Sequence, residues 1–168
     1  MSNGSEYRIE PATESDISLI LSFIKGLAQY EGLAHEVVAT EDNLRESLFG
    51  PQASTEAVIA YSATEPVGFA VFFQNYSTFL GRSGLYLEDL FVLPEWRGRG
   101  LGRALLGYVA RIAVTRRCGR LEWSVLDRNE PAIRFYRALG ASPMDEWTIY
   151  RLTGEALERL SGEFNSAK

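Results

Sequence analysis

One continuous segment, Leu85 to Leu106, constrains the fold of this chain more than any other part of the sequence. It begins with the apolar run Leu85 to Val92, whose length and residue types are typical of a buried strand. Gly98, Gly100 and Gly102 follow, and apolar residues then recur at helical spacing. The segment therefore predicts a strand, a tight glycine loop and a helix, in that order.

The glycine loop has the chemistry of an anion-binding site. Glycine lets the backbone turn tightly and approach a ligand because it has no Cβ. The first N–H groups of the following helix have no intrahelical partner and lie at the positive end of the helix dipole. Arg97, Arg99 and Arg103 add positive charge. The spacing matches neither a dinucleotide fingerprint nor an ATP-type P-loop, and an exposed turn without a ligand is the alternative interpretation.

Arg97-Gly98-Arg99-Gly100-Leu101-Gly102 resembles the Arg/Gln-x-x-Gly-x-Gly/Ala signature with which GCN5-related N-acetyltransferases hold the pyrophosphate of acetyl-coenzyme A. Leu85 to Val92 and Asn129 to Ser142 resemble the diamine (spermidine/spermine) and thialysine branch of that superfamily. The resemblance runs from Arg8 to Tyr150. It implies an α/β (α+β) fold in which helices flank a mixed central sheet of about six to seven strands. Two splayed strands of that sheet are expected to form the acetyl-coenzyme A cleft.

The resemblance also implies which residues contact acetyl-coenzyme A. The backbone of the strand end is expected to bind the pantetheine arm, and the glycine loop to bind the pyrophosphate. Asn129 is expected to contact the cofactor arm, and it is also a plausible N-cap of the helix that follows. The predicted contacts are Leu90, Phe91, Val92, Arg97, Gly98, Arg99, Gly100, Leu101, Gly102, Arg103, Asn129, Pro131 and Ala132.

Glu88 and Asp89 are two acids inside an otherwise apolar strand, where an unpaired charge is costly to bury. Successive strand residues point to opposite faces of a sheet, so we expect only one of the two on a given side. An alkylamine with a pKa of about 10.4 must lose a proton before it can attack a thioester. The resemblance implies that Glu88 accepts this proton through water. Asp89 is expected instead to attract the cationic amine. A structural ion pair with an arginine is the alternative for either acid.

Tyr136 matches the general-acid tyrosine of the resembling enzymes, which would protonate the departing coenzyme A thiolate. Its alternative role is packing on a helix face. A ternary complex needs no covalent acyl-enzyme, so Cys118, the only cysteine, is expected to be an incidental free thiol. His35 is the only histidine, and no metal site is expected.

The acceptor site is predicted from acids that lie beside aromatic residues, a combination suited to alkylammonium groups. Where polyamine acetyltransferases carry an Asp and a Trp, this chain has Ser77 and Phe79. A shorter diamine, thialysine or another amino-acid side-chain amine is therefore expected to fit better than spermine. Exposed acids that bind nothing are the alternative interpretation. The predicted acceptor contacts are Tyr30, Glu31, Ser77, Asp89, Glu146 and Trp147.

Hydrophobic periodicity predicts helices over 13–30, 40–48 and from 101, and a helix that begins after Asn129. Strands are expected at 7–10, 57–61, 67–74, 85–92 and 121–125, and a last strand at 147–152 closes the sheet. A polar, aromatic loop is expected over 76–84. Residues 1–168 are expected to form one domain, with flexible termini at 1–5 and 162–168.

These features predict an enzyme that moves an acetyl group from acetyl-coenzyme A to a small cationic amine. Acetylation of a protein lysine or N-terminus, and a non-catalytic acyl-coenzyme A sensor, are the two alternatives. The formal net charge of −5 disfavours a nucleic-acid partner. No membrane partner and a cytoplasmic location are expected. The resemblance implies a homodimer, with contacts expected after Gly140.

Overall fold

A computed structural model describes residues 7–166 of the chain, so the expected flexible segment 1–5 lies outside the described residues. The chain divides into two compact units, the first ending at Ser124 and the second beginning at Val125. The elements of the first unit are β1 (Tyr7–Pro11), α1 (Ile17–Glu31), α2 (Glu41–Phe49), β2 (Thr55–Ser62), β3 (Glu65–Ser77), β4 (Arg82–Val92), α3 (Leu101–Thr115) and β5 (Leu121–Trp123). Those of the second unit are α4 (Glu130–Ala138) and α5 (Gly154–Ser166).

The strands form one mixed sheet in the order β1-β2-β3-β4-β5. Neighbouring strands are antiparallel except β4 and β5, which are parallel and are connected through α3. A parallel pair requires such a crossover because a hairpin joins only antiparallel strands. The expectation of six to seven strands was too high, since residues 7–166 contain five. The strand expected at 147–152 is absent, and these residues are exposed and irregular.

The first helices and the hairpins follow the local signals. The N–H of Thr13 donates to the Asp16 carboxylate at 2.7 Å, and the N–H of Asn43 donates to Thr40 Oγ1 at 3.2 Å. The loop predicted over 76–84 is shorter than expected, because β3 extends through Ser77 and β4 begins at Arg82. The polar composition explains the difference, because Gln74 Nε2 donates to Ser83 Oγ across the hairpin at 3.0 Å and such polar contacts between neighbouring strands stabilise the pairing.

One face of the sheet packs against α1 and α2. Phe23 of α1 stacks on Phe69 of β3 with ring centroids 5.3 Å apart and lies 6.2 Å from the ring of Phe91 of β4. The buried members of this cluster are Ile20, Phe23, Leu48, Ala57, Ile59, Phe69, Val71 and Phe91. Burial of these apolar side chains fixes α1 over the centre of the sheet.

The opposite face is covered by α3. Its buried side chains include Leu101, Leu105 and Val109, and Leu105 approaches β3 at Gly68. Gly68 leaves no room for a side chain, since a Cβ there would lie 2.7 Å from the carbonyl oxygen of Phe91. Together, α1 with α2 and α3 enclose the sheet from two sides, as the flanked α/β architecture requires.

The second unit begins with a capped helix. Asn129 Oδ1 accepts a hydrogen bond from the N–H of Ala132 at 3.3 Å, which confirms Asn129 as the N-cap of α4. Helix α5 was not predicted from the sequence, and residues 162–166, expected to belong to a flexible terminus, form its last turn. None of the described helices is long and apolar enough to cross a membrane.

We expect Gly68→Ala to destabilise the protein by about 1–3 kcal/mol, because the added methyl group meets backbone that cannot easily move. Gly107→Ala is the matched control. Gly107 lies in α3, a Cβ there meets nothing within 4 Å, and alanine favours a helix over glycine by about 1 kcal/mol. Urea unfolding should show opposite shifts for the two variants. Equal shifts would contradict the predicted clash at Gly68.

Candidate active site

The candidate site begins at a β-bulge in β4. Val71 of β3 pairs with Asp89, but the next residue, Phe72, pairs with Leu87, so Glu88 is an additional residue without a cross-strand partner. A bulge of this kind changes the face to which the following side chains point. Leu87 therefore shares a face with Phe72, whereas Asp89 lies on the face covered by α1. Simple alternation along the sequence does not predict this arrangement.

Three acidic residues near the bulge lie within range of one another's charges. Asp89 is half-buried, Glu88 beside it is exposed, and Glu31 is the last residue of α1. Burial, followed by the negative charges of Glu88 and Glu31, raises the pKa of Asp89 from 3.8 to about 6. A positive ligand would lower this pKa again by replacing repulsion with attraction. The arrangement is therefore suited to receive a cation.

The strand end next to the bulge has an open edge. Pairing between β4 and β5 stops at Leu87 and Trp123, while β4 continues to Val92. The N–H of Leu93 donates to Val67 at 3.0 Å, so its backbone faces β3. By alternation, the polar backbone groups of Leu90 and Val92 face the open edge and those of Phe91 face β3. An extended ligand with amide groups can pair with such an edge.

The glycine loop connects this open edge to α3. Gly98 and Gly100 have φ values of 75° and 83°, a left-handed conformation that favours glycine. A Cβ at either position would meet nothing within 4 Å, so the backbone is open to a ligand. Gly100 is the N-cap of α3 and has no side chain to satisfy the first N–H groups of the helix. These amides are therefore available to an anion from outside the helix.

The three loop arginines differ in their contacts. The guanidinium of Arg97 lies 4.3 Å from the Tyr30 ring centroid and 5.4 Å from that of Phe91. The guanidinium of Arg99 lies 4.7 Å from the ring of Trp96. Arg103 is exposed and forms no side-chain contact of this kind within residues 7–166. Arg103 is thus the arginine most available to an anion at the start of α3.

An open cleft of about 470 Å³ lies between α1 and the end of β4. Its walls include Tyr30, Phe91 and Arg97. Gly26 of α1 allows the close approach, because a Cβ there would lie 3.0 Å from Phe91 Cζ. The sequence predicted Tyr30 and Arg97 as site residues but did not predict the cleft, since α1 and β4 are far apart in the chain.

The predicted residues of the second unit lie on α4 and on the segment after it. Phe135 and Tyr136 are half-buried, with ring centroids 5.2 Å apart. Pro131 lies in the first turn of α4, as expected. Glu146 and Trp147 are exposed, and the N–H of Trp147 donates to Met144 at 3.1 Å.

Ser77 of the first unit has a local structural role. It is buried, and its Oγ accepts a hydrogen bond from the N–H of Leu80 at 3.3 Å. Its predicted contact with an acceptor stays a prediction. Within residues 7–166, no group of three His, Cys, Asp or Glu side chains is arranged to hold a metal ion.

We expect Asp89→Asn to stabilise the protein at neutral pH by about 2 kcal/mol. The pKa of Asp89 in the folded protein, about 6, exceeds its unfolded value, so the protein becomes less stable as pH rises between about 4 and 6. The uncharged amide avoids that loss. Urea unfolding at about pH 4.5 and at pH 7 should show a larger gain at pH 7. Equal gains at both pH values would show that the charge of Asp89 is not the cause.

Solved structures share the fold of this chain. An integron cassette protein from the mobile metagenome of V. cholerae has a TM-score of 0.77 and 29% sequence identity, over 94% of this chain and 99% of that one. This similarity covers nearly the full length of both proteins, so it describes the fold as a whole.

Two curated relatives are also similar over most of their length. Thialysine N-epsilon-acetyltransferase of Mus musculus is 36% identical, over 92% of this chain and 97% of the relative. L-ornithine N5-acetyltransferase NATA1 of Arabidopsis thaliana is 34% identical, over 91% of this chain and 87% of the relative. The family model described as "Acetyltransferase (GNAT) family" matches residues 25–141, a range that includes the bulge, the open edge and the glycine loop. With this match over more than half of its length, the chain belongs to the acetyltransferase (GNAT) family.

Proposed function

We propose that this enzyme transfers the acetyl group of acetyl-coenzyme A to the side-chain amine of a small cationic acceptor, either an amino acid such as thialysine or ornithine or a short diamine. The observation that carries the proposal is the cluster of three acidic residues, Glu31, Glu88 and Asp89, whose charges act on one another. It lies beside the open edge of β4, where a thioester arm would bind. The two curated relatives, whose names specify amino-acid acceptors, support the same class.

Acetyl-coenzyme A fits the open edge and the glycine loop. In this proposal the backbone of Leu90 and the N–H of Val92 pair with the amides of the pantetheine arm, since the Val92 carbonyl already accepts from Arg97 Nε, and Gly98 to Arg103 hold the pyrophosphate. The N–H of Leu90 is the open-edge donor nearest the bulge. It is suited to stabilise the negative charge that develops on the thioester oxygen.

The two neighbouring acids have different roles, binding of the ammonium group for Asp89 and its deprotonation for Glu88. Asp89 binds the ammonium group, whose positive charge lowers the raised pKa of the carboxyl and keeps it ionised. Glu88 is exposed at the bulge and accepts one amine proton, directly or through water. The free amine then attacks the thioester carbon and a C–N bond forms. The C–S bond breaks, the thiolate leaves with a proton from a general acid, and the nitrogen loses its second proton, which restores that acid through water.

Tyr136 is proposed as the general acid that gives its proton to the departing thiolate. This assignment rests on the resemblance of the Asn-Glu-Pro-Ala-Ile-Arg-Phe-Tyr segment to the family. No acyl-enzyme is formed in this scheme, because proximity of the two substrates supplies much of the rate.

The proposed function is tested by release of free coenzyme A thiol from acetyl-coenzyme A. The acceptors are thialysine, ornithine, lysine, putrescine, spermidine and a lysine peptide. We expect the highest kcat/KM with one of the small amines. A higher value with the peptide would replace the proposal by protein acetylation, and binding of acetyl-coenzyme A without turnover of any acceptor would favour a sensor.

We expect Glu88→Gln to lower kcat by about 10²–10⁴-fold, because the amide cannot accept a proton. Asp89→Asn should chiefly raise the KM of the acceptor, because it removes the charge that binds the ammonium group. Steady-state kinetics with both substrates varied distinguishes the two effects. An unchanged kcat for Glu88→Gln would place the base elsewhere.

A homodimer and a cytoplasmic location also belong to this proposal. Residues 143–152 expose Met144, Trp147, Ile149 and Tyr150, with 63%, 69%, 76% and 93% of their surface accessible. Apolar side chains exposed together are typical of an interface, and a second copy of the chain would cover them. A single cysteine, half-buried and free, is consistent with a reducing compartment.

The double substitution Ile149→Asp with Tyr150→Asp should shift the protein from dimer to monomer in sedimentation analysis, because charge is costly to bury at an interface. Val114→Asp is the control, since Val114 is 77% exposed on α3. A monomeric wild-type protein, or a double variant that stays dimeric, would contradict the role of residues 143–152.

A further inference from the structure

Arg97 lies in the phosphate-binding signature, but its contacts lead toward the acceptor side of the sheet. Its Nε donates to the carbonyl oxygen of Val92 at 2.9 Å, and its guanidinium stacks on Tyr30 and Phe91. The Phe91 ring belongs to the cluster under α1. The guanidinium therefore lies on the face covered by α1, whereas α3 covers the other face.

These contacts join the two elements that carry the acids. Tyr30 immediately precedes Glu31 at the end of α1, and Phe91 and Val92 follow Asp89 on β4. Glu31 is close enough to Asp89 for its charge to act on that carboxyl. Within residues 7–166 no hydrogen bond or ion pair holds the Tyr30 side chain, which is 50% exposed and lies at a helix end where turns fray.

We propose that Arg97 is a positioning residue of the acceptor site, holding Tyr30 and Glu31 against the end of β4, rather than a ligand of the pyrophosphate. This inference rests on the proposed function, because it assigns the acids to the amine. Stacking on two aromatic faces suits the planar guanidinium, which lysine replaces only in part. The hydrogen bond to Val92 also ties the first residue of the glycine signature to the strand end.

The test compares Arg97→Gln with Arg103→Gln, which lies in the same glycine signature region and has no side-chain partner within residues 7–166. We expect Arg97→Gln to raise the KM of the acceptor about tenfold, while the KM of acetyl-coenzyme A stays within about twofold. Arg103→Gln should do the reverse. Arg97→Lys should restore part of the loss, because it keeps the cation but not the planar stack.

A double-mutant cycle with Tyr30→Leu tests the contact itself. If Arg97 acts through Tyr30, the KM of the acceptor for the double variant should be no higher than that of the more impaired single variant. Fully additive losses would overturn the proposal. So would a rise in the KM of acetyl-coenzyme A for Arg97→Gln as large as that for Arg103→Gln.

Calorimetric binding of coenzyme A separates this inference from the proposed function. Affinity close to wild type is expected for Arg97→Gln, with thermal melting as the check that the variant folds. If Arg97→Gln does not fold, Arg97→Lys and Tyr30→Leu carry the same comparison. Failure of the wild-type enzyme to acetylate any small amine would refute the proposed function, whereas a lost coenzyme A affinity in Arg97→Gln would refute the role of Arg97.

Discussion

The additional residue in β4 is the constraint on which the rest of the site depends. With Glu88 inserted opposite no partner, Asp89 and Phe91 point toward α1 instead of toward the apolar underside of α3. Regular alternation would have placed the Asp89 carboxylate on the same face as Leu87, among buried side chains. The bulge therefore avoids a costly buried charge and places the Asp89 carboxylate on the face covered by α1, within reach of the charge of Glu31 at the end of that helix.

In β4 the backbone and the side chains make different kinds of contact. Its backbone beyond Leu87 faces an open edge, because β5 ends at Trp123. Its side chains beyond the bulge pack under α1 or join the carboxylates. The glycine loop then leads directly into α3, whose first amides need an acceptor from outside the helix. One strand can thus bind an extended, anionic donor substrate through its backbone and a cationic acceptor through its acidic side chains, so the two ligands do not compete for the same groups.

Much of this was predictable from local sequence. The apolar run and the three glycines predicted strand, loop and helix α3, and Thr40 and Asn129 predicted helix starts that the structure confirms. The helix starts were accessible because capping involves groups only three residues apart. The predictions for 76–84 and 147–152 were less successful. A segment forms a strand only where a neighbouring strand can hydrogen-bond to it, and neither the polar nor the apolar content of the segment shows whether such a neighbour exists.

The sequence by itself determined the fold family, the loop chemistry and the identity of the acids, since each is expressed in residues close together in the chain. Only the tertiary structure decided how those groups are oriented. The bulge at Glu88, the contact of Gly26 with Phe91 and the stacking of Arg97 on Tyr30 join residues that are distant in sequence or depend on strand register. Register and packing are set by the whole sheet and its helices, because a one-residue shift changes the face of every later side chain.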